Sequence, residues 1–389
     1  VNQFMQNGFG MLDMRVRIAY HSVNNTRHAS QRCAPGGFLV YGTGSAGPGN
    51  EAPGNHGPQI EGTGMSFSKP ALTVEQQIDL LEQRGMTVPD RARAAHYLTH
   101  INYYRLRAYW LPFEIEPANG DAHAFIAGTN FETVLAIYVF DRELRLLLLD
   151  AIERVEISLR TTLAQHLATR YGPFAHDDAA LFSNQDEWKK SQTELWKEFQ
   201  RSRETFAKHY RERYPELNTP PIWVACELMT LGHLSRWLKN LARPDDRQRI
   251  ADRYGLDERV LVSFAHHLTV VRNHCAHHGR VWNRRLALRF TLPVKKPRHI
   301  ASDFNPGEPQ LLYNTLTLLA YLLDLLSPTH SWRREAHALL EAHPEIDTAA
   351  MGFRLTGAKP DCGRSRYEFA EISGVQGQRH ALGRYRSDA

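Results

Sequence analysis

From Phe131 to about Arg170 the chain reads FETVLAIYVFDRELRLLLLDAIERVEISLRTTLAQHLATR, and Gly172-Pro173 ends it. Leu144, Leu147, Leu148, Ala151, Ile152, Val155, Leu159 and Leu163 recur at three- to four-residue spacing, with charges on the opposite side. That period belongs to a helix and not to a strand. So long an apolar stripe must be covered by other elements, which predicts a bundle of long antiparallel helices.

The flanking segments carry the same period. Thr73 and Gln76 form a capping-box pattern ahead of Ile78, Leu80 and Leu81, and Gly85 sits where a C-cap belongs. Asp90 opens a second helix, followed by the aromatic block INYYRLRAYWLPF (101–113), which reads mainly as core packing. A charged helix is expected around 187–213, with a largely solvated face. Pro220-Pro221 introduces another over 222–241, and Asp257 caps a helix carrying VLVSFAHHLTVVRNHCAHHGRVWNRR. The last strong helix is read at 311–326, stopped by Pro328. No alternating run of strand length and no repeat of 20–50 residues is present, so the expected class is all-α.

The ends differ. Residues 1–64 hold 12 of the 26 glycines and no lysine, too little apolar surface to offset the entropy of ordering. They read as a disordered leader. The divisions expected are this leader, an N-terminal helical region at 65–130, a helical bundle at 131–345, and a largely irregular tail at 346–389. No run approaches ~18 uncharged apolar residues, so no membrane partner is expected. The four cysteines are scattered without a CxxC pair, which fits a reducing cytosol.

Residues 259–302 contain nine Arg or Lys and no Asp or Glu, in a chain with 42 acidic residues and a net charge of +5. Such a window predicts a local positive field suited to phosphate. The alternative is a basic face paired with acids from another helix, such as Glu153 and Glu156. On a helical wheel Phe264, Leu268, Val271, Cys275 and Trp282 fall on one side. His266, Asn273, His277, Arg280 and Arg284 fall on another, wholly polar side. Arg272 lies at its edge beside Ala276.

An arginine, an asparagine and a histidine presented together suit metal-independent RNA cleavage. The imidazole exchanges protons near neutrality, with a 2′-hydroxyl or a 5′-leaving oxygen, and the guanidinium holds the phosphate. One histidine does not readily serve as both acid and base, so two copies meeting in a dimer would supply the second. The same spacing also arises by chance in ordinary helices. His274 and His278 stand at a zinc-compatible spacing, with His267 on the same side, but no HExxH or CxxC completes a ligand set. Cys275 falls on the buried side. Arg160, with His166 six residues on, reads first as an ion pair with Glu156 at i,i+4 that could face the same cleft.

Five ordered blocks resemble the Abi-like (AbiD/AbiF) abortive-infection family. They are KPALTVEQQIDLLEQRGM (69–86), INYYRLRAYWLPF (101–113), FDRELRLLLLDAIERVEISLR (140–160), PPIWVACELMTLGHLSRW (220–237) and VVRNHCAHHGRVWNR (270–284). The resemblance implies membership of the HEPN superfamily and an all-α HEPN-type bundle with an N-terminal helical extension. In that superfamily an R-x4-6-H motif, with Asn after the Arg, marks the ribonucleases, and Arg272, Asn273 and His277 fit it here as R-N-x3-H. The activity implied is a metal-independent endoribonuclease of anti-phage defence, homodimeric and cytoplasmic, without metal or cofactor. Arg272, Asn273 and His277 would be catalytic, and Arg280, Arg284, His266 and Arg160 would bind RNA. The expected partners are substrate RNA, a second copy and a structured noncoding RNA. The alternatives are a non-catalytic RNA-binding protein and a helical interaction subunit.

Overall fold

A computed structural model describes residues 70–115 and 123–354. The leader at 1–64 and the tail beyond residue 354 lie outside the described residues. The described residues divide into two units on either side of residue 80. Helix α1 (Val74–Gln83) spans that division. It begins with the expected reciprocal cap: Thr73 N–H donates to Gln76 Oε1 (2.8 Å) and Gln76 N–H donates to Thr73 Oγ1 (3.3 Å).

Eleven further helices are described in the second unit: α2 (Arg91–His100), α3 (Tyr103–Trp110), α4 (Phe131–Tyr171), α5 (Gln185–Arg201), α6 (Thr205–Arg213), α7 (Ile222–Leu228), α8 (Leu231–Asn240), α9 (Pro244–Asp252), α10 (Glu258–Ala276), α11 (Tyr313–Leu326) and α12 (Trp332–Ala342). Among the described residues there is no strand, only three isolated backbone bridges. The all-α class holds.

The 41-residue α4 is the axis of this unit. At 1.5 Å per residue it runs about 60 Å. Asn130 caps its start by accepting from Glu132 N–H at 2.8 Å, and Gly172, at φ +95°, ends it. Helices α3, α7, α9, α10, α11 and α12 all pack against it. Its stripe is buried as the spacing predicts, with Leu148, Ala151 and Leu163 wholly enclosed. Each such leucine contributes roughly 1.5–3 kcal/mol by leaving water.

Three readings of helix extent are corrected. The segment expected as one helix at 222–241 is two, because Thr230 turns out of the helix and caps α8 by accepting from His233 N–H (3.2 Å). Its neighbour Gly232 permits close approach to α10, since a Cβ there would stand 3.3 Å from Thr269 Cγ2. The charged region breaks into α5 and α6, and α5 buries Ser191, Leu195 and Phe199 at four-residue spacing. Most consequentially, α10 stops at Ala276 and does not run on through the second arginine cluster. Helix α12 lies beyond the last helix anticipated; Ile346, Met351 and Phe353 after it are also buried.

Two histidines are enclosed in this bundle. The His267 ring bonds the Leu288 carbonyl (2.6 Å) and Thr315 Oγ1 (2.8 Å) through its two nitrogens. His233 sits edge-on to Trp237 with its Nε2 lacking a partner. Burial holds both rings at about 4, below the ordinary 6.5. The unfolded chain therefore takes up protons that the fold refuses. This contribution is complete above pH 6.5 and is lost as pH falls toward 4, by roughly 3 kcal/mol per ring at the acid end. Urea midpoints should thus fall between pH 7 and pH 5, and fall less in His233→Leu. Equal pH dependence of the two proteins would remove His233 from this account.

Candidate functional site

The end of α10 is shaped by backbone bonds. Gly279 N–H donates to the His274 carbonyl (2.8 Å), His278 N–H to that of Cys275 (3.1 Å), and His277 N–H to that of Asn273 (2.9 Å). This is a Schellman closure with His278, at φ +58°, in the left-handed position usually given to glycine. His277 is the C-cap and is exposed.

Tertiary contacts hold the chain in place after the turn. Asp141, in the middle of α4, has no exposed surface. Its Oδ1 accepts from Val281 N–H (2.9 Å) and Trp282 N–H (2.7 Å). Its Oδ2 accepts from the Tyr109 hydroxyl (2.7 Å) and from the buried Arg145 guanidinium. One carboxylate thus joins α4, α3 and the turn after α10. Burial, and then Asp141, push the Tyr109 phenol well above its ordinary value, so it stays protonated as a donor. From α3, Arg105 Nη1 donates to the His278 carbonyl at 2.7 Å. In return Arg280 reaches the Ala108 carbonyl.

The motif residues lie on the exposed side of this joint. Arg272 is half-buried, and its Nη1 donates to Asn273 Oδ1 at 3.1 Å. The Asn273 amide oxygen therefore engages the guanidinium. Among the described residues neither Arg272 nor His277 takes part in a salt bridge. Nearby charges are positive. Burial, then Arg284 and His277, hold the His274 ring below the usual imidazole range. Burial and Lys239 do the same to the exposed His266. The arrangement offers an anion a guanidinium, an imidazole and neighbouring cations.

Other expected site residues are placed differently. Arg280 and Arg284 do not continue the α10 stripe. Arg280 is half-buried against α3, where burial lowers its affinity for the proton against the opposing pull of Asp141. Arg284 is also half-buried, its Nη1 at 3.5 Å from the Arg280 carbonyl. Arg160 is held by Glu156, as the spacing predicts, and also donates to the Cys226 carbonyl (2.6 Å). His166 bonds Asp246 (2.8 Å). Cys275 is buried and its thiol is pushed up to about 12, which leaves it without nucleophilic character. The His267 bonds take that ring out of any zinc set with His274 and His278. Among the described residues no three His, Cys, Asp or Glu groups come together to hold a metal, and no helix is long and apolar enough to cross a membrane.

Residue-by-residue reading of the sequence missed Asp141, Tyr109, Arg145 and Arg105, which position the motif turn. One signal for them was present. Asp141 and Arg145 stand at i,i+4 within the apolar run of α4, where an unpaired charge would be costly. Asp141→Asn should destabilise the chain by about 3 kcal/mol or more, because Arg145 would stay buried without its counter-charge. It should also open the turn to trypsin at Arg280 and Arg284. An unchanged melt and unchanged proteolysis would show that the turn holds itself.

No curated protein and no solved structure matches this chain. Residues 96–283 match the model of a family described as Abi-like protein. That stretch, a little under half of the sequence, runs from α2 to just past the motif turn. It takes in the Asp141 joint together with Arg272, Asn273 and His277, and over that stretch the chain is similar to the Abi-like family.

Proposed function

We propose that this protein is a metal-independent endoribonuclease of the HEPN type, acting in abortive-infection defence. The observation carrying the reading is the end of α10, where an exposed imidazole and an accessible guanidinium stand outside any described salt bridge. The Abi-like family supports the defence context.

In the proposed reaction Arg272, steadied by Asn273, binds the scissile phosphodiester and offsets the charge that builds on its oxygens. His277 takes the proton of the 2′-hydroxyl. The 2′-oxygen attacks phosphorus, and the bond from phosphorus to the 5′-oxygen breaks. A 2′,3′-cyclic phosphate and a 5′-hydroxyl result. The leaving oxygen needs a proton, and His277 of a second copy would give it, which makes a homodimer the working form. His266 and Arg284 would hold flanking phosphates, and a structured noncoding RNA remains a proposed partner of the same surface. Arg160, tied to Glu156, keeps at most an outlying role.

Incubation of the full chain with total RNA in EDTA should yield new ends of those two kinds. His277→Ala should slow cleavage by a hundredfold or more, the ordinary weight of a general acid or base. Cleavage by His277→Ala at the wild-type rate would exclude the assignment.

A further inference from the structure

A second surface adjoins the motif turn, on α3. Tyr104 is 71% exposed, well above the other exposed aromatics of the described residues, Trp223 (48%), Trp196 (47%) and Tyr214 (41%). A single exposed aromatic is ordinary on a protein surface. Three features set this one apart.

The first is position. Arg105, the next residue, donates to the His278 carbonyl, so the start of α3 lies alongside the His277–His278 turn. Tyr104 is the chain neighbour of Arg105, so it belongs to the end of α3 that meets the turn.

The second is preorganisation. Asn102 Oδ1 caps α3 by accepting from Tyr104 N–H at 2.8 Å. The Tyr104 ring meets Tyr103 edge-on at 6.1 Å, and Tyr103 in turn meets Trp110 at 4.9 Å and accepts from Arg84 at 3.2 Å. The ring is braced at its edge while most of its surface stays open to solvent. The backbone that carries the ring is fixed by this cap before any ligand arrives.

The third is charge. Residues 91–113 contain Arg91, Arg93, Arg105 and Arg107 and no Asp or Glu. The two carboxylates that bond α3, Glu114 and Asp141, are buried and already engaged by arginines. Arg91 and Arg93 are paired with Glu82 and Glu132, so the cations that count here are those nearest the turn, and the bonds Arg105–His278 and Arg280–Ala108 join the start of α3 to it. Trp196, by contrast, stands on α5, where four acids and four bases balance.

We propose that Tyr104 is a stacking platform for an unpaired base of a single RNA strand whose backbone runs along the motif turn. This rests on the ribonuclease reading only for the identity of the ligand. An aromatic face beside arginines suits single strands, whose splayed bases can stack; duplex RNA hides its bases and offers phosphates alone.

The test uses the full chain carrying His277→Ala, which leaves the RNA uncut, and a short single-stranded RNA oligonucleotide containing 2-aminopurine. Titration should quench the fluorophore. Adding Tyr104→Ala should abolish the quench and weaken binding about tenfold, within the range measured for loss of one stacked base. Tyr104→Phe should keep both, and a blunt duplex should bind both proteins alike. Equal quench and equal affinity in Tyr104→Ala would overturn the platform even if wild type cuts RNA. Tyr104-dependent quench without cleavage by wild type would support the platform and overturn the nuclease. No binding of either RNA would overturn both.

Discussion

The Asp141 carboxylate is the interaction on which the site depends. Withdrawing an ion from water is costly, and the cost is offset only where every acceptor position is filled. Here it is filled by two backbone N–H groups, a phenol and a guanidinium drawn from three separate elements. The helix pair α3–α4 and the turn after α10 are therefore joined through one buried ion, with the Arg105–His278 and Arg280–Ala108 bonds beside it. The exposed groups owe their position to it, although it never touches them.

This arrangement sorts charge by depth. Acids near the site, Asp141 and Glu114, are enclosed and neutralised by Arg145, Arg84 and Arg107. What reaches solvent around the turn is guanidinium, ammonium or imidazole: Arg272, His277, His266, Lys239 and Arg105. The modest net charge of the whole chain conceals this, because outside 259–302 acidic residues outnumber Arg and Lys. A polyanion approaching from solvent would meet that local face.

Much of the helical framework was legible because its signals are local. Thr73 with Gln76, Asp90 and Asp257 cap helices through bonds to residues two or three positions away. The α4 stripe declares its own buried side. The end of α10 was not legible, and the reason is instructive. Trp282 follows Cys275 by seven residues, so it continues the apolar period and mimics further helix. It is in fact buried from a turn held by a carboxylate some 140 positions earlier in the chain. Arg280 and Arg284 were misplaced with it, since a wheel projects every residue onto a cylinder that has already ended. The motif itself was legible; its partners Arg105 and Tyr109 were not, because only the tertiary fold brings α3 to it.

The left-handed backbone at His278 has one more consequence. A β-carbon in that conformation costs on the order of 1–2 kcal/mol relative to ordinary helix, and glycine, which would relieve it, stands one position too late. The cost is offset by the turn's own backbone bonds and by two outside anchors, the His278 carbonyl at Arg105 and the downstream chain at Asp141, so the shape that ends α10 is set from outside the helix as much as from within.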